Sequence, residues 1–205
     1  MNFVLGIYYI ISFLLLGCDL SMIEVNIQNI VASTIFAEKL DLDIIAQSIE
    51  ETEYEPEQFP VLVYRLNQPK TATLLFRSGK ANCTGAKNIE DVRRSINIIA
   101  DKLRKIGMIV YEEKNLQITI QNIVATACLE GELNLNEVAM GLGLDNVEYE
   151  PEQFPGLVYR IDEPKVVMLL FSSGKIVCTG GRKKEDVSLA VEELSKRLNS
   201  LDLFH

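Results

Sequence analysis

Glu53-Tyr54-Glu55-Pro56-Glu57-Gln58-Phe59-Pro60-Val61-Leu62-Val63-Tyr64-Arg65 returns at residues 148–160 with a single change, Val61 to Gly156. Twelve of the thirteen positions match at an offset of 95. At that same offset Pro69-Lys70 returns as Pro164-Lys165, Leu74-Leu75-Phe76 as Leu169-Leu170-Phe171, Ser78-Gly79-Lys80 as Ser173-Gly174-Lys175, and Cys83-Thr84-Gly85 as Cys178-Thr179-Gly180. Upstream, Gln28-Asn29-Ile30-Val31-Ala32 recurs at 121–125 with an offset of 93, so the second copy carries two extra residues between Ala125 and Glu148. Two copies are too few for a solenoid, which needs several stacked units to close its core. The economical reading is an internal pseudo-twofold, with a first repeat over 22–110 and a second over 111–205.

Within a copy, period-two alternation marks strands at 23–33, 61–66, 71–76 and 80–85. Ser78-Gly79 and Ser173-Gly174 lie between apolar runs and supply tight hairpin turns. Asp41 and Asn134 are predicted N-caps of short helices. Asn88 caps a longer helix whose apolar stripe is Val92, Ile96, Ile99, Leu103 and Ile106, closed by Gly107. In the second copy the stripe is Val187, Ala190, Val191, Leu194 and Leu198. Each copy therefore reads as strand, helix, three strands, helix, an α+β arrangement with helices on one face of an antiparallel sheet.

A chain of 205 residues with 48% hydrophobic and 24% charged content can bury a sizeable core and is not globally disordered. Its net charge of −9 argues against holding nucleic acid by blanket phosphate neutralisation. Cys18, Cys83, Cys128 and Cys178 form no C-x-x-C pair, which fits reduced thiols better than disulfides or zinc. The only histidine is His205, so no Ser-His-Asp triad or histidine metal cluster can be assembled. Neither a cofactor nor a metal is expected. Residues 1–21 form an apolar N-terminal extension without the positively charged start of a signal peptide. The favoured reading is that translation begins at Met22, the alternative being a leader or membrane anchor.

The sheet face away from the helices should be polar unless it binds something. Alternation puts Asn29 and Val31, Leu74 and Phe76, and Asn82 and Thr84 on that face, with Asn122, Val124, Leu169, Phe171, Val177 and Thr179 in the second copy. This is an apolar surface with a few short donors and almost no charge, present twice.

The Gln-Asn-Ile-Val-Ala strand, the Tyr-Glu-Pro-Glu-Gln-Phe-Pro segment, the Phe-x-Ser-Gly-Lys hairpin and the Cys-Thr-Gly strand, each doubled and in order, closely resemble the TATA-binding proteins of archaea. The resemblance runs from about Ile23 to about Leu201. It implies a saddle with a curved ten-stranded antiparallel sheet, helices on its convex face, and a concave face on the minor groove of a TATA element. This family is itself a type case of the minor-groove binder that inserts apolar wedges and kinks DNA.

By the same resemblance Phe59, Phe76, Phe154 and Phe171 are the wedges. Asn29, Thr84, Asn122 and Thr179 are the central polar contacts, and Val31, Leu74, Val124, Leu169 and Val177 the apolar floor. Arg65, Lys80, Arg160 and Lys175 match phosphate contacts at the rim. Glu150 and Glu152 lie in the loop where transcription factor B docks, leading to RNA polymerase and the pre-initiation complex, and the resemblance allows a homodimer when DNA is absent. It implies a cytoplasmic, nucleoid-associated protein of archaea. Charge is uneven: residues 22–110 carry 11 basic and 12 acidic side chains, residues 111–205 carry 9 and 16. The competing class is an enzyme or ligand-binding protein with its site between the copies, possibly anchored by residues 1–21. Against it, no Gly-rich phosphate loop, metal cluster or nucleophile–base pair is present.

Overall fold

A computed structural model describes residues 23–203, apart from 130 and 144. The N-terminal extension, Cys18 and His205 lie outside the described residues. The first repeat runs β1 (Asn26–Ile35), α1 (Leu42–Ser48), β2 (Thr52–Glu53), β3 (Leu62–Asn67), β4 (Lys70–Leu75), β5 (Lys80–Ala86) and α2 (Ile89–Lys105). A single 3-10 turn (Glu113–Asn115) precedes the second repeat: β6 (Thr119–Cys128), α3 (Leu135–Leu142), β7 (Val147–Glu148), β8 (Leu157–Ile161), β9 (Val166–Leu170), β10 (Lys175–Gly181) and α4 (Lys184–Ser200). The ten strands follow the sheet order β2-β3-β4-β5-β1-β6-β10-β9-β8-β7. The described chain divides into two compact units, one of residues 27–124 and 180–184, the other of 23–26, 125–179 and 185–203.

The caps fall where the side-chain chemistry puts them. Asp41 accepts from the Asp43 and Ile44 amides, Asn88 from Asp91 and Asn134 from Asn136, each relieving an orphan donor of a helix N-terminus. The α2 stripe is buried as its spacing predicts, through Val92, Ile96, Ile99 and Leu103. It packs with Ile30, Ala32, Leu62, Tyr64, Leu75, Ala81 and Cys83 of the sheet in one apolar cluster. Leu103→Ala should cost about 2–5 kcal/mol, because the surrounding side chains cannot collapse into the space it leaves. A urea titration showing a loss under about 0.5 kcal/mol, the size of an ordinary surface change, would contradict this assignment.

Register makes the two faces distinct, since residues opposite each other in an antiparallel pair share a face. Leu62, Leu75 and Ala81 form one row and Tyr64, Thr73 and Cys83 the next, all turned to the helices. In the second repeat the matching rows are Leu157, Leu170 and Ile176, then Tyr159, Met168 and Cys178. Burial pushes the Cys83 thiol up and the Cys178 thiol up to about 12, so neither is a nucleophile. Cys128 is disulfide-bonded, against the expectation of reduced thiols throughout. It sits half-buried at the end of β6.

The hairpin turns need glycine. Gly79 has φ +77°, and a Cβ there would lie 1.8 Å from the Ala37 carbonyl oxygen. Gly174 has φ +75°, and its Cβ would lie 2.4 Å from the Gly131 oxygen. The carbonyls of both turns accept from the chain leaving the first strand of each repeat, Phe36 N–H to Gly79 and Leu129 N–H to Gly174, each at 2.8 Å. The two extra residues of the second copy fall between α3 and β7, where α3 runs one residue longer than α1 and Gly143, at φ +90°, ends it.

Candidate nucleic-acid interface

The face turned away from the helices is built from the alternate rows. Val63, Leu74, Asn82 and Ser33 lie opposite one another across β3, β4, β5 and β1, and Arg65, Ala72 and Thr84 form the next row. The second repeat repeats the plan with Val158, Leu169 and Val177, then Arg160, Val167 and Thr179. Val63, Ser33, Ala72, Val158 and Val167 were not among the sequence candidates. They are the register mates of residues that were, and the period-two rule finds them once pairing is known.

The two rows differ in accessibility. In the first repeat Leu74 and Asn82 are half-buried, whereas Leu169 and Val177 are 8% and 4% exposed. The expectation of an open face therefore fails at these two positions. In the second repeat Val158, Leu169 and Val177 form an all-apolar row, whereas Asn82 places a polar side chain in the first-repeat row.

Asn29 and Asn122 are oriented by their surroundings. The Gly85 amide donates to Asn29 Oδ1 at 2.7 Å, and the Gly180 amide donates to Asn122 Oδ1 at the same distance. Gly85 and Gly180 sit at φ +100° and +102°, the twisted backbone that lets their N–H groups turn to the strand beside them. Asn29 Nδ2 donates to Thr84 Oγ1 at 3.0 Å. The Asn29 carboxamide nitrogen carries a second N–H beyond the one given to Thr84, so it can still donate outward. Val31 and Val124 are half-buried beside these amides, two residues along β1 and β6.

The four phenylalanines come from two kinds of local structure. Phe76 and Phe171 begin the hairpin turns, where their amides donate to the Lys80 and Lys175 carbonyls at 3.0 Å. Phe59 and Phe154 end single helical turns, their amides donating at 2.9 Å to Glu55 and Glu150. Phe154 and Phe171 meet edge to face, their centroids 6.0 Å apart. Arg77, adjacent to Phe76, donates at 2.8 Å to both Asp43 Oδ2 and Tyr54 OH, fixing the first-repeat loop to α1. The second copy has Ser172 there.

Arg65 and Arg160 each meet a carboxylate from the neighbouring strand. Arg65 meets Glu53 through Nε at 2.9 Å and Nη2 at 3.2 Å, and Arg160 meets Glu148 through Nη2 at 3.1 Å. Arg65 holds the Glu53 carboxyl below its usual range, and Glu53 in turn raises the guanidinium. Lys80 is exposed and Lys175 half-buried. Glu150 and Glu152 are exposed, and Gln153 Nε2 donates to Glu150.

A duplicated sheet that offers a largely apolar, donor-bearing face, with Cys83 and Cys178 buried behind it, is the class of a surface-binding protein, not of a catalyst. The family described as "Transcription factor TFIID (or TATA-binding protein, TBP)" matches residues 24–106 and again 117–201. A TATA-box-binding protein of Thermoplasma acidophilum is 60% identical over 180 residues, spanning 88% of this chain and 97% of its own length. One from Picrophilus torridus is 59% identical over 182 residues, 89% and 98% of the two chains. The solved Methanococcus jannaschii TBP superposes with a TM-score of 0.79 at 49% identity, over 86% of this chain and 99% of that one.

The chain belongs to the TATA-binding protein family. It is a DNA-binding transcription factor and not an enzyme. Among the described residues, no helix is long and apolar enough to cross a membrane.

Proposed function

We propose that the chain is a general transcription initiation factor that binds the minor groove of A·T-rich TATA elements, bends the duplex by phenylalanine insertion and recruits transcription factor B and RNA polymerase. One observation carries the reading: a largely apolar sheet face present twice, each copy with an asparagine whose oxygen is tied to a glycine amide. The minor groove offers adenine N3 and thymine O2 as acceptors for such donors, alike in A·T and T·A. A G·C pair adds the guanine amino group, which the apolar floor of Val31, Leu74, Val124, Leu169 and Val177 cannot hydrogen-bond and has no room for. Sequence preference then comes from the missing amino group and from how easily the site deforms.

Phe59, Phe76, Phe154 and Phe171 are the wedges, flat and rigid side chains that can stack on a base exposed by a kink. Asn29, Asn122, Thr84 and Thr179 face the groove floor. Arg65, Lys80, Arg160 and Lys175 meet phosphates at the rim. For Arg65 and Arg160 this means exchanging Glu53 and Glu148 for phosphate, a small loss because exposed ion pairs are worth about 0–1 kcal/mol. Glu150 and Glu152, in the repeat with the larger acidic excess, suit a basic surface of transcription factor B. Glu55 and Glu57 repeat the same loop, so the charge of the loop does not by itself tell the factor which end to choose. Without DNA, two copies would share the same apolar face. An enzymatic or ligand-binding role is not favoured.

A gel-shift on an A·T-rich duplex against a G·C-substituted competitor tests the reading. Binding that survives the competitor and bends the fragment supports it; equal loss to the G·C competitor and to unlabelled A·T-rich duplex overturns it. Lys80→Ala should weaken binding to all sequences alike and reduce the slope of log K against log salt by about 0.9, one released counterion. A change in sequence preference with an unaltered slope would place Lys80 on the bases instead.

A further inference from the structure

We propose that Gly156 latches the second-repeat wedge in the free protein, while Val61 holds the first-repeat wedge open; the inference rests on the DNA-bending reading above. The repeated thirteen-residue segment differs at one position, and that position decides where a ring can lie. A Cβ on Gly156 would stand 2.7 Å from Phe154 Cε1 and 3.1 Å from Phe171 Cε1. The Phe154 ring therefore fills the space that a side chain would need. Gly156 is not among the glycines with positive φ, so backbone conformation does not demand it; room for the ring does.

In that room the two rings meet edge to face, their centroids 6.0 Å apart and their planes at 69°. In the first repeat Val61 is buried at the matching position and Phe59 is 50% exposed, with no ring contact to Phe76. In this scheme the Val61 isopropyl group denies Phe59 the room that Gly156 leaves for the Phe154 ring, in keeping with a buried Val61 and a half-exposed Phe59.

A wedge stacks on a base through its ring face, and an edge-to-face pair has one face covered. The second-repeat pair must open before it inserts. Affinity is then reduced by the fraction of molecules in the open state, a penalty the first repeat escapes. Gly156 and Val61 are positioning residues in this scheme, acting through the phenylalanines.

The test compares the full chain with Gly156→Val, Val61→Gly and the double exchange, on one A·T-rich duplex, with fluorophenylalanine NMR of the free proteins. Gly156→Val is expected to move the Phe154 and Phe171 signals toward solvent exposure and tighten binding by about two- to tenfold, the worth of one aromatic pair. Val61→Gly is expected to cover Phe59 and weaken binding by a similar factor. The double exchange should return to within about twofold of the starting affinity, as distant independent changes add. No charge changes, so the salt slope stays constant throughout. Weaker binding by folded Gly156→Val, or a double exchange that fails to compensate, would overturn the latch.

Gly156→Ala, a smaller intrusion, should shift the same signals in the same direction should the valine variant not fold. If the starting protein showed no A·T preference, the DNA reading would fall. The NMR shifts of the free variants would still decide the latch.

Discussion

Phe171→Ala is expected to remove most of the bend the protein imposes on an A·T-rich duplex while leaving the fold intact. Phe171 begins the β9–β10 hairpin turn, which is held by backbone bonds, its own amide to Lys175 and the Gly174 amide back to it, each 3.0 Å. Losing the ring does not touch those bonds. It removes a wedge, and base–aromatic stacking is worth about 1–3 kcal/mol per base. Affinity should fall by about 10- to 100-fold, since about 1.4 kcal/mol is tenfold. Circularly permuted fragments carrying the site read the bend directly. Unchanged mobility differences between end-placed and centre-placed sites would remove Phe171 from the wedge.

The second large effect concerns stability. Gly79→Ala is expected to cost about 3–5 kcal/mol, at the upper end of single substitutions. Two terms combine: an alanine at φ +77°, worth about 1–2 kcal/mol by itself, and a Cβ placed 1.8 Å from the Ala37 carbonyl oxygen. Backbone cannot yield as a flexible side chain can, so the turn must separate from the chain after β1 and lose the Phe36–Gly79 bond. Gly107 is the control. It has φ +86° but nothing within 4 Å of its Cβ, so Gly107→Ala should show the conformational cost alone. Equal losses for the two variants in thermal or urea unfolding would contradict the close approach at Gly79.

Much of this architecture was legible because its signals are local and doubled. The α2 stripe, the Asn88 and Asp41 caps and the Gly79 and Gly174 turns each follow from a few neighbouring residues, and the second copy repeats the evidence. The two-residue strands β2 and β7 were not read from alternation, because Thr52–Glu53 and Val147–Glu148 are too short to show a period and exist through pairing with β3 and β8. The Arg65–Glu53 and Arg160–Glu148 pairs span 12 residues and emerge only from that pairing.

The burial of Leu169 and Val177 was likewise hidden. It depends on which side chains stand opposite one another, and the change from Asn82 to Val177 reads in sequence as a local oddity. Gly156 carried a signal that could have been used: one substitution in an otherwise identical stretch, beside a phenylalanine. What it accommodates is visible only from ring positions.

The account turns on recognition from the minor groove, and inosine substitution tests that most directly. An inosine·cytosine pair lacks the guanine amino group, so its minor groove resembles that of A·T while its major groove keeps the pattern of G·C. A TATA element with every A·T pair replaced by I·C should be bound and bent within about tenfold of the original, the allowance for altered deformability. Rejection of the inosine site as strongly as the G·C site would mean that the bases are read from the major groove, and the sheet face described here would not be the reading surface.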